Sequence, residues 1–220
     1  RSRVALISTY TTASNLFTLS ANGCLIENVS VFAGVNSANP TGCFKLTGQR
    51  NVIRNCHLAG MGHATMDIAG AYSLQISGGA ENLIDDCTIG IDTIQLGAQI
   101  NAVLYFASGA TRNWFRKCRF MLWTNHATNA QFLRAAAGSM DRYQVFEDCL
   151  FLNAIDSTST ALTQAFTVAA GGSPSGGVLL IGNTAVIGAT DWNATDAGNV
   201  TALGESPTAG TYGLAIDVTR

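Results

Sequence analysis

Two adjacent carboxylates, Asp85 and Asp86, are the side chains in this sequence best suited to acid–base chemistry. Enzymes that hydrolyse glycosidic bonds use a pair of carboxyl groups about 5–10 Å apart. Both aspartates, however, occupy positions that recur every 31 residues, one a charged position and the other a polar position before a cysteine. Because the repeat already accounts for both side chains, we expect no catalytic residue here.

The histidines and the other acids suggest no second centre. His57 falls in an outward position of the repeat, and His63 and His126 lie in loops without a partner at a useful spacing. Asp92 could join the aspartate pair only if a loop folded back, whereas Ca²⁺ requires 6–8 oxygen ligands. No spacing indicates a Ser-His-Asp triad. We therefore expect neither a metal nor a cofactor.

Four cysteines, Cys56, Cys87, Cys118 and Cys149, are each separated from the next by 31 residues. Zinc sites favour paired short spacings, which these cysteines lack. One cysteine per repeat in an inward position predicts a column of reduced, buried thiols that pack as small hydrophobic groups. Cys24 and Cys43 lie outside this column, and the sequence leaves their state open.

The cysteines belong to a repeated segment that must position every candidate side chain. Asn51–Leu58 returns as 82–89, 113–120 and 144–151, with looser copies at 24–31 and 179–186. Such a period indicates a solenoid, and the short β-branched or aromatic segments bounded by turn residues indicate strands. Upstream apolar segments ending in glycine, such as Phe44–Gly48 and Leu74–Gly78, give two or three strands per repeat.

Stacking of the copies in parallel sheets predicts columns of equivalent residues about 4.8 Å apart. Besides the cysteine column, which Val29 and Thr184 extend, two columns are predicted to face the interior. They are Ile26, Ile53, Ile84, Phe115, Phe146 and Ile181, and Val31, Leu58, Ile89, Phe120, Phe151 and Val186.

A polar residue precedes each position of the cysteine column, and it is most often Asn or Asp. These two residue types tolerate the left-handed conformation, so the column predicts a bend between two strands. Its members are Asn28, Asn55, Asp86, Lys117, Asp148 and Asn183.

The position before the bend alternates in charge over five repeats. We call Glu27, Arg54, Asp85, Arg116 and Glu147 the charge ladder. Opposite charges on neighbouring strands attract and like charges repel, so the ladder favours one register. An exposed pair contributes about 0–1 kcal/mol, which makes register specificity the expected role.

A column of apolar residues directly precedes the first interior column and should therefore point outward. It comprises Leu25, Val52, Leu83, Trp114, Val145 and Leu180. An outward apolar stripe is unusual on a monomer. Either loops or the terminal strand of the same chain cover it, or it packs against another copy; Trp114 favours the second, because aromatics are enriched in interfaces.

Composition narrows the function classes. The net charge is −2 and charged residues make up 12%, about half the usual fraction. The sequence has no run of basic residues that would predict nucleic-acid binding, and no apolar stretch long enough for a membrane helix. The low charged fraction suggests a surface that other subunits cover. We expect an N-terminal arm or cap strand at 1–15, coils at 16–187, and an extension at 188–220 with a terminal strand at Tyr212–Val218. Arg1 does not begin a signal-peptide pattern.

The repeated pattern Val/Ile-Ile-x-Asn-Cys-x-Ile with its Asn-type bend resembles the right-handed parallel β-helix of the pectate-lyase-like superfamily, over roughly residues 17–187. That superfamily includes pectate lyases, polygalacturonases, phage tailspikes and non-enzymatic phage structural and decoration proteins, and the fold does not choose among them. Asp85-Asp86 resembles the polygalacturonase aspartate pair and Gly62-His63 half of its Gly-His-Gly motif. The order is reversed, however, and the Arg-x-Lys motif is absent.

The sequence thus predicts an all-β fold, a right-handed parallel β-helix of about six coils. The expected function is that of a non-enzymatic virion protein, a phage capsid decoration or spike-like component assembling as a homotrimer beside proteins such as a major capsid protein. The alternatives are an extracellular or virion-borne carbohydrate-active enzyme, of tailspike hydrolase or polysaccharide lyase type, and a glycan-binding adhesin.

Overall fold

The computed structural model describes residues 2–5, 14–154, 156–168, 177–193 and 200–202. The expected terminal strand Tyr212–Val218 and most of the glycine-rich segment 171–177 lie outside the described residues.

Three parallel sheets run the length of the described chain, and each coil visits them in the same order. Sheet I contains β2 (Asn15–Leu19), β5 (Gly42–Leu46), β8 (Tyr72–Ser77), β11 (Asn101–Ser108), β15 (Ala130–Ala135) and β19 (Phe166–Val168). Sheet II contains β3 (Leu25–Glu27), β6 (Val52–Arg54), β9 (Leu83–Asp85), β13 (Trp114–Arg116), β17 (Gln144–Glu147), β20 (Val178–Ile181) and β22 (Val200–Ala202). Sheet III contains β1 (Ser2–Ala5), β4 (Val29–Phe32), β7 (His57–Ala59), β10 (Thr88–Gly90), β14 (Arg119–Leu122), β18 (Leu150–Asn153) and β21 (Ala185–Ile187).

The fold is therefore an all-β parallel solenoid, as predicted, with about five turns. Six copies were expected; the six strands of sheet I mark the ends of five complete turns. A two-stranded pairing of β12 (Ala110–Thr111) with β16 (Met140–Asp141) and a short 3-10 helix at Ala64–Met66 lie between the main strands. β1 pairs in parallel with β4 and adds a strand to the edge of sheet III.

The bend between sheets II and III uses the left-handed conformation. Asn28, Asn55, Asp86, Lys117 and Asp148 have φ between 48° and 60°, as the sequence predicted. The last coil departs from this pattern, because Gly182, with φ 66°, takes the position predicted for Asn183. Glycine adopts this conformation without steric cost.

The interior columns form one continuous core. Phe115 stacks on Phe146 with ring centroids 4.6 Å apart, and Phe120 stacks on Phe151 at 4.5 Å. The four cysteines of the predicted column are buried, and no cysteine of the chain is disulfide-bonded. One assignment is wrong: Leu180, not Ile181, pairs with Phe146 and lies in the core.

A buried amide ladder, which the sequence analysis did not assign, opens sheet II in successive coils. It comprises Asn51, Asn82, Asn113 and Gln144, each at most 1% exposed. The Asn82 amide donates to Asn113 Oδ1 at 2.9 Å, and the Asn113 amide donates to Gln144 Oε1 at 2.9 Å. Because each side chain also donates to a backbone carbonyl of the preceding coil, the ladder satisfies backbone groups between sheets I and II.

Candidate functional site

The outer face of sheet II carries the predicted apolar column. Leu25, Val52, Leu83, Trp114 and Val145 pair with one another in register and are partly or fully exposed. Leu25 is 60% exposed and Trp114 is 45% exposed. The described loops therefore leave one end of this stripe, at Leu25, and its middle, at Trp114, open to solvent.

The sixth predicted member, Leu180, does not face outward. It is 2% exposed, and Leu179 pairs with Val145 in its place. Two residues separate Glu147 from Leu150, whereas three separate Ile181 from Ala185, so the last bend contains one extra residue. Thr184 does extend the cysteine column, as predicted. Because the last copy was aligned on Thr184, its preceding strand was predicted one position out of register, which exchanged the inward and outward residues Leu180 and Leu179. We refer to Leu25, Val52, Leu83, Trp114, Val145 and Leu179 as the apolar stripe.

Trp114 occupies the middle of the apolar stripe, between Leu83 and Val145 on the neighbouring strands. Its indole Nε1 donates to Glu147 Oε2 at 3.1 Å. This bond fixes the polar edge of the ring and leaves its apolar faces beside the aliphatic neighbours. The side chain is thus held on the surface of sheet II rather than folded into the core.

The charge ladder runs beside the stripe. Arg54 lies 3.7 Å from Glu27 and 3.3 Å from Asp85, and Arg116 makes two hydrogen bonds to Asp85 at 2.9 and 3.0 Å. Hydrogen bonding to Arg116 is the main cause that lowers the pKa of Asp85 below its ordinary value. The fifth member differs: no ion pair within 4.0 Å joins Glu147 to Arg116 in the described part of the chain, and Glu147 bonds to Trp114 instead.

A second charged column, which was not predicted from the sequence, links three of the same coils. Arg50 and Arg112 both bind Glu81, the former at 2.7 Å. Hydrogen bonding to Arg112 and Arg50 lowers the pKa of Glu81. These residues also recur every 31 positions, so the period could have revealed them.

The residues considered for catalysis are engaged in structure. A shallow cleft of about 450 Å³ contains Asp85 and Asp86, but the Asp85 carboxylate is occupied by two arginines and Asp86 forms the left-handed bend. A carboxyl group with a lowered pKa is poorly suited to donate a proton at neutral pH. His63 accepts from the Thr65 backbone N–H at the start of the 3-10 helix, and His57 Nε2 lies 3.1 Å from the Gly90 carbonyl oxygen.

The other candidate positions add no centre. The ring of His126 accepts from the backbone N–H of Thr128 and Asn129, and Asp92 is an exposed loop residue. Among the residues that the structure describes, no group of three or more His, Cys, Asp or Glu side chains could hold a metal ion. None of the described helices is long and apolar enough to cross a membrane.

A smaller apolar strip lies on the outer face of sheet III. Met121, Leu152 and Ile187 pair in register, and Ile187 is 49% exposed. The solenoid therefore presents apolar side chains on two adjacent faces.

Comparisons with known proteins identify no relative of this chain. No protein-family model matches the chain, and neither the curated proteins nor the solved structures contain a match.

Proposed function

We propose that this protein is a non-enzymatic structural protein that assembles as a homotrimer, with the apolar stripe of sheet II in the contact between subunits. The observation that carries the proposal is the exposure of Leu25 and Trp114 within one continuous line of apolar side chains. Aromatic and aliphatic residues in such a line are typical of the buried centre of a protein interface.

The arrangement of two apolar faces supports a closed ring rather than a twofold dimer. A twofold contact needs one self-complementary patch, whereas a cyclic trimer joins two different patches of each subunit. The apolar stripe and the strip at Met121, Leu152 and Ile187 are two such patches on adjacent sheets. Stripe residues of one copy would pack on the sheet III strip of the next.

The apolar area of the stripe is large enough to contribute substantially to the free energy of association. If the six side chains of the stripe each lose about 50 Å² of accessible surface, burial contributes roughly 7 kcal/mol at about 25 cal/mol per Å². Translational and rotational entropy and side-chain ordering oppose this gain. The sheet III strip supplies the opposing apolar surface of the same contact.

We further propose that the assembly belongs to a virion, as a phage capsid decoration or spike-like component beside a protein such as the major capsid protein. This context rests on the resemblance of the repeat to the pectate-lyase-like β-helix superfamily, which includes phage structural and decoration proteins. The low charged fraction, 12%, supports extensive coverage by other protein subunits. If the protein is not part of a virion, the alternative non-enzymatic function is that of an extracellular, glycan-binding adhesin.

Trp114→Asp tests the assembly. Sedimentation of the wild type should give a species near 69 kDa, three chains of 23.0 kDa each, and the variant should shift towards monomer. Burial of an unpaired carboxylate in a contact is strongly unfavourable, whereas an exposed one costs little. Ile100→Asp is the matched control, because Ile100 is 49% exposed but precedes β11 of sheet I. A wild type that sediments as a monomer would refute the proposal.

A separate assay addresses the enzymatic alternative. Incubation of the wild type with acidic polysaccharides should release neither reducing ends nor unsaturated ends. Turnover that disappears in the double variant Asp85→Asn with Asp86→Asn would contradict the non-enzymatic proposal.

A further inference from the structure

A cavity of about 440 Å³ opens on the outer face of sheet I, away from the apolar stripe. Its lining includes Gly70, Ala71, Ile100, Ala102, Tyr105 and Arg134. This volume falls within the range of pockets that bind small molecules. It lies on a different sheet from the proposed subunit contact, so the inference does not depend on the proposed function.

The cavity exists because one outward column changes side-chain size from coil to coil. Gly42, Tyr72, Ala102 and Gln131 pair in succession on sheet I. A side chain at Gly42 would collide with the Tyr72 ring, so the ring uses the space above that glycine. Ala102 leaves the next position empty, and it forms part of the cavity lining between the two larger side chains.

The cavity has a single cationic group. Arg134 is half-buried in its wall and makes no ion pair within the part of the chain that the structure describes. Burial lowers the pKa of Arg134, which reflects the cost of removing the guanidinium from water. Its neighbours in the same outward column are Tyr105 and Thr167, neither of which is acidic.

The other polar groups of the wall differ in availability. Thr167 donates to Gln131 at 2.7 Å and accepts from Gln164 at 3.0 Å, so its hydroxyl is already occupied. Asn101 is 1% exposed; its amide donates to Asp67 at 2.6 Å, whereas its Oδ1 has no hydrogen-bond partner in the described structure. A buried carbonyl oxygen without a donor is costly, and a hydroxyl group is a suitable partner.

We propose that this cavity binds a small organic monocarboxylate with an apolar body and a hydroxyl group. The planar guanidinium of Arg134 matches a carboxylate with two parallel hydrogen bonds. One unpaired cation favours a single negative charge over a doubly charged phosphate. The alanines and Ile100 contact the apolar body, and Asn101, which lines the cavity and whose Oδ1 has no partner in the described structure, accepts a hydrogen bond from the hydroxyl.

Titration calorimetry with 4-hydroxybenzoate tests the proposal. The compound should bind the wild type with Kd at or below about 1 mM, and 4-hydroxybenzyl alcohol, of similar shape but neutral, should bind at least roughly tenfold more weakly. Arg134→Gln should weaken 4-hydroxybenzoate binding by a similar factor. Arg119→Gln, an exposed arginine on sheet III, is the matched control and should leave the affinity unchanged.

Ala102→Leu provides a second variant that keeps the guanidinium and fills the cavity, and it should also abolish binding. Circular dichroism and melting curves establish that each variant is folded. Absence of heat up to about 10 mM 4-hydroxybenzoate would overturn the proposal. Equal affinity of the folded wild type and Arg134→Gln, or retained affinity in Ala102→Leu, would also overturn it.

Discussion

Replacement of Asn113 by Ala tests how the amide ladder stabilises the solenoid. Asn113 Oδ1 accepts from the Asn82 backbone N–H at 3.1 Å and from the Asn82 amide at 2.9 Å. Its own amide donates to the Gly79 carbonyl at 3.0 Å and to Gln144 Oε1 at 2.9 Å. The two acceptors keep other donors, since Thr111 N–H reaches Gly79 and Asn113 N–H reaches Gln144. The variant therefore leaves two buried donors of Asn82 unsatisfied.

The expected loss follows from those two donors. A buried polar group left without its partner costs about 1–3 kcal/mol, so Asn113→Ala should destabilise the protein by about 2–6 kcal/mol. This is a large share of the roughly 5–15 kcal/mol that separates most folded domains from the unfolded chain. Since each coil contacts only its neighbours, local unfolding around β9 and β13 can precede the loss of the remaining coils.

Urea unfolding followed by circular dichroism measures this effect. Asn113→Ala should unfold at clearly lower urea than the wild type, with a broader transition if the coils uncouple. Asn125→Ala is the matched control, because Asn125 is exposed and its amide makes one bond, to Gln95 at 3.1 Å. If both variants unfold at the same urea concentration as the wild type, the buried amide ladder does not contribute as argued.

Three further predictions concern the charge ladder and the two cysteines outside the cysteine column. Arg116→Glu should lower the melting temperature at low salt, and by less at high salt, because it replaces attraction to Asp85 with repulsion. Arg119→Glu on sheet III is the control, and equal melting temperatures of Arg116→Glu and the wild type at low salt would exclude a role for the charge ladder. The pKa of Asp85 is lowered in the folded protein, so its contribution to stability is present above the ordinary carboxyl pKa of about 4 and is lost as pH falls through the folded value. The free energy of unfolding of Asp85→Asn should therefore fall less with acid than that of the wild type. Burial raises the pKa of Cys43 to about 12, so this thiol should not react with iodoacetamide at about pH 8 in the folded protein. Mass spectrometry should show modification of the partly exposed Cys24, and modification of Cys43 only after denaturant is added.

The equal spacing of the repeat allowed most of the fold to be predicted. A constant 31-residue step fixes the register of neighbouring coils, so the cysteine column, the bend and the charge ladder could be read directly from the sequence. The prediction failed where the step changes. The last bend contains one extra residue, which exchanged Leu179 with Leu180, and periodicity alone does not show on which side of a bend an insertion falls.

The amide ladder was missed for a different reason. Asn51, Asn82 and Asn113 begin successive copies, but a polar residue at the start of a strand usually indicates a surface turn. Their burial follows from hydrogen bonds to carbonyls of the preceding coil, which the sequence does not display.

The outward direction of the apolar stripe could be predicted, whereas the cavity could not. Alternation along a strand assigns Trp114 to the outer face of sheet II from sequence alone. The cavity depends on loops at Gly70 and Ile100 that meet only in the folded solenoid, beside a small residue at Ala102. None of these residues carries a pattern that marks a binding site.

Hydroxyl-radical footprinting of the wild-type protein tests the central claim, burial of the apolar stripe between subunits, most directly. In one chain Trp114 is 45% exposed and Ile100 is 49% exposed, so each side chain should react at a similar fraction of its intrinsic rate if the protein is monomeric. In the proposed trimer, Trp114 is protected several-fold relative to Ile100 after normalisation to intrinsic reactivity, because only the stripe lies in the contact. Equal normalised oxidation of Trp114 and Ile100 in the native protein would contradict the account.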